Sequence, residues 1–183
     1  MCSCALTTSP ILLLLSVTAL VPQEDVPAAQ PYNDPDAYQI YSLLLPHEES
    51  YGFAEGTLMI QENTVAEDVS GACLKSTDAK RFKGAIAGYN RIYKKNWLLQ
   101  RQFQIPKSYR LVGANVISAL PDRPPAASYV SLSPVGFNRD RTQAIVFVRS
   151  LCGGLCGSWR FHVLEKVHGK WNEAKVAMCV GAS

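Results

Sequence analysis

Basic residues are missing from one end of this 183-residue sequence and acidic residues from its middle. The first 74 residues contain no lysine or arginine, and residues 79–121 contain no aspartate or glutamate. Residues 1–78 therefore carry a net charge of −10, residues 79–121 carry +9, and the remainder carries +4. Such separation indicates either an anionic partner for the basic middle or an acidic segment packed beside it, and we expect the second.

Catalytic motifs are also absent. The sequence has no Walker loop, no His-Glu-x-x-His motif, no dinucleotide-binding glycine fingerprint and no Gly-x-Ser-x-Gly nucleophile elbow. Its three histidines lie in an acidic loop (His47), a predicted strand (His162) and a predicted turn (His168). We expect structural roles for these histidines and no cofactor or metal, and the missing motifs favour a non-catalytic protein over an enzyme.

The N-terminal apolar run is too short to span a membrane, which takes about 20 residues. Ile11–Val21 has the length of the apolar region of a signal peptide, and small residues at Val17 and Ala19 suit a cleavage site. A buried helix and an uncleaved anchor are the alternatives. We predict an exported protein, periplasmic or extracellular, without a transmembrane span in its mature chain. The predicted organisation is signal peptide 1–21, Pro-rich linker 22–36 and a single domain 37–183.

The composition, 48% hydrophobic and 18% charged, indicates a folded globular domain and excludes a disordered chain. Asp34 and Pro35 predict the start of a helix that ends at Pro46. A second predicted helix covers Asp78–Lys95, where Gly84 and Gly88 allow close approach to a sheet.

Most other elements are predicted strands and turns. The strands are Thr57–Gln61, Tyr109–Val112, Ser128–Phe137 with an interruption at Pro134, Thr142–Leu151, Trp159–Leu164 and Ala174–Val180, and the turns are Asn138–Arg141 and His168–Gly169. This order predicts an α+β domain with helices packed on one face of a curved antiparallel sheet, which ends in a C-terminal meander.

Four cations of the second predicted helix, Lys80, Lys83, Arg91 and Lys94, fall within about 80° of arc at 100° per residue. They are candidate anion-binding residues, since like charges on one helix face repel each other and require a counter-charge. The acidic segment of Glu48, Glu49, Glu55 and Glu62 is the structural candidate for it. If the counter-charge instead comes from a binding partner, the candidate is an anionic polysaccharide or a membrane surface.

The sharpest local feature is the segment Cys152–Cys156, in which two cysteines bracket Gly-Gly-Leu between two predicted strands. Opposed residues of a hairpin lie within disulfide distance, so we predict a bridge between these two cysteines. A redox pair, free thiols and a zinc site that adds His162 and Cys179 are the alternatives. Pairing of Cys73 with Cys179 stays open.

Several short motifs resemble a group of exported bacterial proteins of unknown function. The motifs are Tyr38–Ser42, Val135–Asn138, Thr142–Ala144, Cys152–Gly157, Leu164–Lys166 and Gly169–Trp171. The resemblance covers about half of the chain and departs from the group after Trp171. The resemblance implies that the protein is exported and shares the fold of this group, and it implies no activity.

Two functional hypotheses follow from these observations. The first is an exported, non-catalytic binding or structural module whose partner is a small molecule or an anionic surface. The second is a thiol- or histidine-dependent hydrolase or redox enzyme that uses His162 with Cys152 or Cys156. We expect no nucleic-acid partner, because the basic stretch lacks the interleaved exposed aromatic residues of a stacking platform.

Overall fold

A computed structural model of the protein describes residues 28–47, 57–72, 74–120, 128–152, 157–176 and 180–182. The helices in these ranges are α1 (Pro35–Leu44), α2 (Ser76–Arg81), α3 (Lys83–Asn90) and α4 (Ala114–Ser118). The strands are β1 (Gln30–Tyr32), β2 (Leu58–Gln61), β3 (Trp97–Leu99), β4 (Tyr109–Val112), β5 (Ser128–Leu132), β6 (Gly136–Phe137), β7 (Gln143–Cys152), β8 (Gly157–Val167), β9 (Lys170–Glu173) and β10 (Val180–Ala182). The mixed α and β content that we predicted is confirmed.

The main sheet is mixed rather than antiparallel, which corrects one part of the prediction. Its strand order is β10-β8-β7-β5-β2-β4, with β6 added beside β7 and β9 beside β8. Strand β2 runs parallel to both β4 and β5, whereas the pairs from β5 to β10 are antiparallel. The segment between β2 and β4 contains α2 and α3, so it is long enough for the crossover that a parallel pair requires.

The C-terminal meander of β7, β8 and β9 is confirmed. The β7–β8 pairing runs from Gln143 opposite Glu165 to Leu151 opposite Gly157. The predicted turn at His168–Gly169 follows β8, and both of its residues have positive φ, of 49° and 79°. The predicted last strand is wrong for Ala174–Val176, which forms no strand: the amide of Ala174 bonds to the carbonyl of Val163 and the chain then leaves the sheet.

Helix α1 forms as its sequence predicts. The Oδ1 atom of Asp34 accepts from the backbone amides of Asp36 and Ala37, at 3.1 and 3.3 Å, and Pro35 occupies the first helical position. The buried face of the helix carries Tyr38 and Tyr41 among its larger residues. The Tyr41 hydroxyl donates to the carbonyl of Ser133 at 2.7 Å, which anchors the helix to the chain between β5 and β6.

The helices lie on both faces of the sheet, which corrects the expectation of a single covered face. Alternate residues of a strand point to opposite faces. One core cluster joins α1 to Ala144, Val146 and Val148 of β7, and the second joins α3 to Ile145 and Phe147 of the same strand. The sheet therefore buries one face against α1 and the other against α3.

The predicted helix Asp78–Lys95 is two shorter helices. Phe82 separates α2 from α3, with φ −100° and ψ 14°, and its side chain is fully buried. The chain then leaves the helix at Asn90 and makes a turn over residues 91–94. The single 100° periodicity that aligned the four cations therefore does not extend over all of them.

Strand β1 lies in the segment predicted as a linker. It pairs in parallel with β3, so that Gln30 faces Trp97 and Tyr32 faces Leu99. The Tyr32 side chain is 5% exposed, belongs to the α1 core cluster, and accepts at its hydroxyl from the amide of Val135 at 3.0 Å. The packed domain therefore includes residues before Asp36.

Two glycines allow α3 to contact strand β6 directly, as the sequence predicted for Gly88. A Cβ atom at Gly88 would lie 2.0 Å from the carbonyl oxygen of Phe137, and one at Gly136 would lie 2.4 Å from the backbone of Tyr89. Both neighbours are backbone, which cannot move aside as a flexible side chain can. Any residue larger than glycine at these two positions would separate the helix from the sheet.

We therefore expect Gly88→Ala to destabilise the protein by about 2–3 kcal/mol, despite the better helix propensity of alanine. Gly84→Ala is the matched control, because its Cβ would meet the side chain of Asn138 at 3.0 Å instead of backbone. Urea unfolding of both variants measures the difference. Equal stability of the two variants would show that the helix–strand contact is not as close as described.

Candidate functional site

A cleft of about 910 Å³ opens where four separate segments of the chain meet. We call it the arginine cleft. It is lined by Tyr32, Asn33, Asp34, Pro35, Asp36, Gly88, Arg91, Ile92, Trp97, Val135, Phe137, Asn138, Arg139 and Arg141. The wall residues come from β1 and the start of α1, the end of α3, β3, and the turn between β6 and β7. Its volume lies within the range of pockets that bind small organic ligands.

The turn Asn138–Arg141, predicted from the sequence, is held by the side chain of its first residue. Asn138 Oδ1 accepts from the backbone amides of Thr142 and Gln143, both at 2.9 Å, and its Nδ2 atom donates to the Thr142 hydroxyl at 3.0 Å. Arg141 closes the turn with a positive φ of 53°. The position of Arg139 between these two residues is therefore fixed at its backbone.

Arg141 is committed to contacts within the protein. Its guanidinium donates through Nη2 to Oδ1 of Asp34 at 2.5 Å and through Nε to Oδ2 of Asp36 at 3.0 Å. The same group lies 4.0 Å from the centre of the Phe137 ring, in a cation–π contact. These contacts join the turn to the first residues of α1.

Asp36 also accepts hydrogen bonds from two further residues, one in β8 and one in β9. Lys166 Nζ lies 2.8 Å and Trp171 Nε1 lies 3.3 Å from its Oδ1 atom. Partial burial raises the pKa of this carboxyl group, but the hydrogen bonds from Lys166, Arg141 and Trp171 outweigh it, and the pKa lies below its usual value. The ionised carboxylate of Asp36 therefore accepts hydrogen bonds from within the protein and is not a ligand-binding group.

The two other arginines of the arginine cleft, Arg91 and Arg139, differ from Arg141 in making no ion pair with a described residue. Both are exposed, and neither makes a side-chain hydrogen bond or ion pair with any described residue. The contact of Gly88 with Phe137 brings their backbones together, because Arg91 follows Gly88 by less than one helical turn and Arg139 follows Phe137 by two residues. The cleft lining thus contains two arginines whose guanidinium groups have no partner among the described residues.

Two aromatic residues also line the cleft. The rings of Tyr32 and Trp97 lie 5.5 Å apart between centroids. Burial raises the pKa of the Tyr32 hydroxyl, which keeps it neutral. The partly exposed ring of Trp97 is therefore an uncharged part of the cleft lining, to which Arg91 and Arg139 add positive charge.

Of the four predicted anion-binding cations, the structure brings only Arg91 to the cleft. Lys80 and Lys83 are exposed on α2 and α3 and do not line the cleft, and Lys94 lies 5.5 Å from the ring centre of Tyr93. The acidic residues Glu48, Glu49 and Glu55 lie outside the described residues, and Glu62 makes no ion pair with these four cations. Whether an acidic segment neutralises the cations stays a prediction.

Arg139 and Arg141 were missed from the sequence as candidate site residues. Both lie in a segment that correctly reads as a turn, and turn residues are usually solvated. The available signal was the pair of arginines that flank Asp140 in a turn held by asparagine. Asp34, predicted only as the start of a helix, and Asp36 form the counter-charge of Arg141.

His162 is buried, with both ring nitrogens engaged. Its Nδ1 atom lies 2.6 Å from Oε1 of Glu173, and its Nε2 atom lies 3.0 Å from Nε of Arg160. Because a guanidinium can only donate, Nε2 is the acceptor and the proton is on Nδ1, which donates to Glu173. A histidine held in this way is not free to take a proton from a thiol.

The predicted disulfide of Cys152 with Cys156 lies outside the described side chains and stays a prediction, as do the pairing of Cys73 with Cys179 and the zinc alternative. The described residues contain no group of three or more His, Cys, Asp or Glu side chains that could hold a metal ion. No helix in the ranges given above is long and apolar enough to cross a lipid bilayer.

Comparisons with family models, with curated proteins and with solved structures find no match to this chain. The site is therefore interpreted from its own geometry alone.

Asp36→Asn tests the ion network beneath the cleft. We expect a loss of about 2 kcal/mol in the free energy of unfolding near neutral pH, because Lys166 and Arg141 lose a charged acceptor. The pKa of folded Asp36 lies below the unfolded value of about 3.9, so this stabilisation is complete above that pH and disappears as the pH falls through the folded pKa.

The matched control is Asp140→Asn, in the turn that carries Arg141, where the aspartate has no described partner. Urea unfolding from neutral to acidic pH measures both variants against the wild type. A pH dependence of Asp36→Asn identical to that of the wild type would contradict the assignment of the network.

Proposed function

We propose that the protein is an exported, non-catalytic module that binds a small anionic ligand in the arginine cleft. The observation that carries this proposal is the pair Arg91 and Arg139, two guanidinium groups without a partner in the described part of the chain. Every other charged group of the cleft is used in the network of Arg141 with Asp34 and Asp36. A concave site with unbalanced positive charge attracts anions.

The rigidity of the cleft supports binding. Arg139 is presented by a turn whose backbone is fixed by Asn138 and Arg141. Arg91 follows a helix that is held against β6 by the contact at Gly88. Binding to a site whose backbone is already in place loses less conformational entropy than binding that must order a loop.

The enzyme alternative has less support. A hydrolase that uses His162 as a general base needs an unprotonated ring nitrogen directed at the nucleophile. The Nε2 atom that would serve accepts instead from Arg160, and the other nitrogen donates to Glu173. These contacts favour a structural role for His162.

Export is the second part of the proposal, and N-terminal sequencing of protein from the native host tests it. We expect the mature chain to begin between Leu20 and Gln30, because cleavage beyond Tyr32 would remove a core residue. Recovery of soluble protein with an intact Met1 from the cytosol would contradict export and leave the binding proposal standing.

Binding is tested by thermal unfolding with benzoate or phenyl phosphate as anionic probes and benzyl alcohol as the neutral probe. We expect at least one anion to raise Tm, since a ligand that binds only the folded state stabilises it, and we expect no shift with the alcohol. The double variant Arg91→Gln/Arg139→Gln should lose the shift.

The control for lost charge is Lys80→Gln/Lys83→Gln, which removes two exposed cations that do not line the cleft. We expect it to respond to the anions as the wild type does. Loss of the shift in this control as well would indicate attraction by net charge rather than by the cleft.

A further inference from the structure

We infer that the ligand of the arginine cleft is a small organic phosphate monoester whose phosphate contacts Arg91 and Arg139 and whose organic part lies toward Trp97 and Ile92. This inference rests on the proposed function and specifies its ligand class. Three features of the cleft carry it: the balance of charge, the position of that charge within the cleft, and the space beside it.

The balance of charge points to a dianion. Asp34 and Asp36 are matched by Arg141 and Lys166, all four in contact within 3.0 Å. Among the lining residues, Arg91 and Arg139 then leave two positive charges for a ligand, whereas the carboxylate of Asp140, which also has no described partner, does not line the cleft. A phosphate monoester carries −1.5 to −2 charges near neutral pH and offers three terminal oxygens, whereas a carboxylate carries one charge. Guanidinium groups match phosphate oxygens in geometry as well as in charge.

The position of the charges excludes the start of α1 as the phosphate site. The amides of Asp36 and Ala37, which would otherwise bind an anion, are already capped by Asp34. The carboxylates of Asp34 and Asp36 on that wall repel a second negative group. The cleft therefore favours one phosphate at the end near α3 over an extended polyanion or an anionic membrane surface.

The volume of the cleft beside the two arginines indicates that the ligand also has an organic group. An open cleft of about 910 Å³ is far larger than a single phosphate, and its volume is in the range of sites that bind small organic ligands. The remaining lining offers the partly exposed side chains of Trp97 and Ile92, whereas Tyr32 is only 5% exposed. Burial of an apolar or aromatic group on this lining adds affinity that free phosphate cannot gain.

Isothermal titration with phenyl phosphate, inorganic phosphate and benzoate tests the inference on the full domain. We expect phenyl phosphate to bind about tenfold more tightly than either other probe, since only it combines two charges with a ring. Arg91→Gln and Arg139→Gln should each weaken phenyl phosphate about tenfold, and Lys83→Gln should leave its affinity unchanged.

The pH dependence separates a dianion from a monoanion. The second pKa of a phosphate monoester is about 6, so phenyl phosphate should bind several-fold more weakly near pH 5 than near pH 7. Benzoate stays ionised over this range and controls for titration of the protein's own histidines.

The outcomes distinguish this inference from the proposed function. Benzoate binding as tightly as phenyl phosphate, without a pH effect, would overturn the phosphate inference and leave an anion-binding module. If inorganic phosphate binds as tightly as phenyl phosphate, the inference that an organic group of the ligand contacts the cleft would be wrong. Binding of none of the three probes, or equal binding by both arginine variants and the wild type, would overturn the proposed function itself.

Discussion

The carboxylate of Asp36 joins more separate parts of this protein than any other group described above. It lies in the first turn of α1 and accepts from Arg141 after β6, Lys166 in β8 and Trp171 in β9. The placement of α1 on the sheet and the orientation of the Arg141 turn both depend on it. Because the charge of Arg141 is satisfied there, the cleft retains only the charges of Arg91 and Arg139 for an external partner.

Local signals in the sequence predict much of the fold. The cap at Asp34, the strand alternation of β7 and β8 and the turns at Asn138 and His168 are each encoded within a few residues, and each forms as predicted. The mixed sheet and the second covered face are not encoded locally. The parallel pairing of β2 with β4 and β5 is decided by where the crossover packs, which periodicity does not report.

The site was harder to predict than the fold, because its residues come from four segments. Helical periodicity grouped Arg91 with Lys80, Lys83 and Lys94, but the helix breaks at Phe82 and ends at Asn90. Burial of Phe82 at the break, a tertiary effect, overrides the local helical preference. The signal at Arg139 was weak, since an arginine in a turn is ordinarily solvent-exposed.

The contacts that close the cleft are very distant along the chain. Asp36 bonds to residues 105, 130 and 135 positions away, and Tyr32 bonds to an amide 103 positions away. Contacts of such separation form late and slowly, because the intervening chain must first lose its freedom. We therefore expect the aromatic residues of β1 and α1 to stay uncovered until β6 to β9 have assembled. During that interval they are the apolar surface that a chaperone would bind and through which the chain would aggregate.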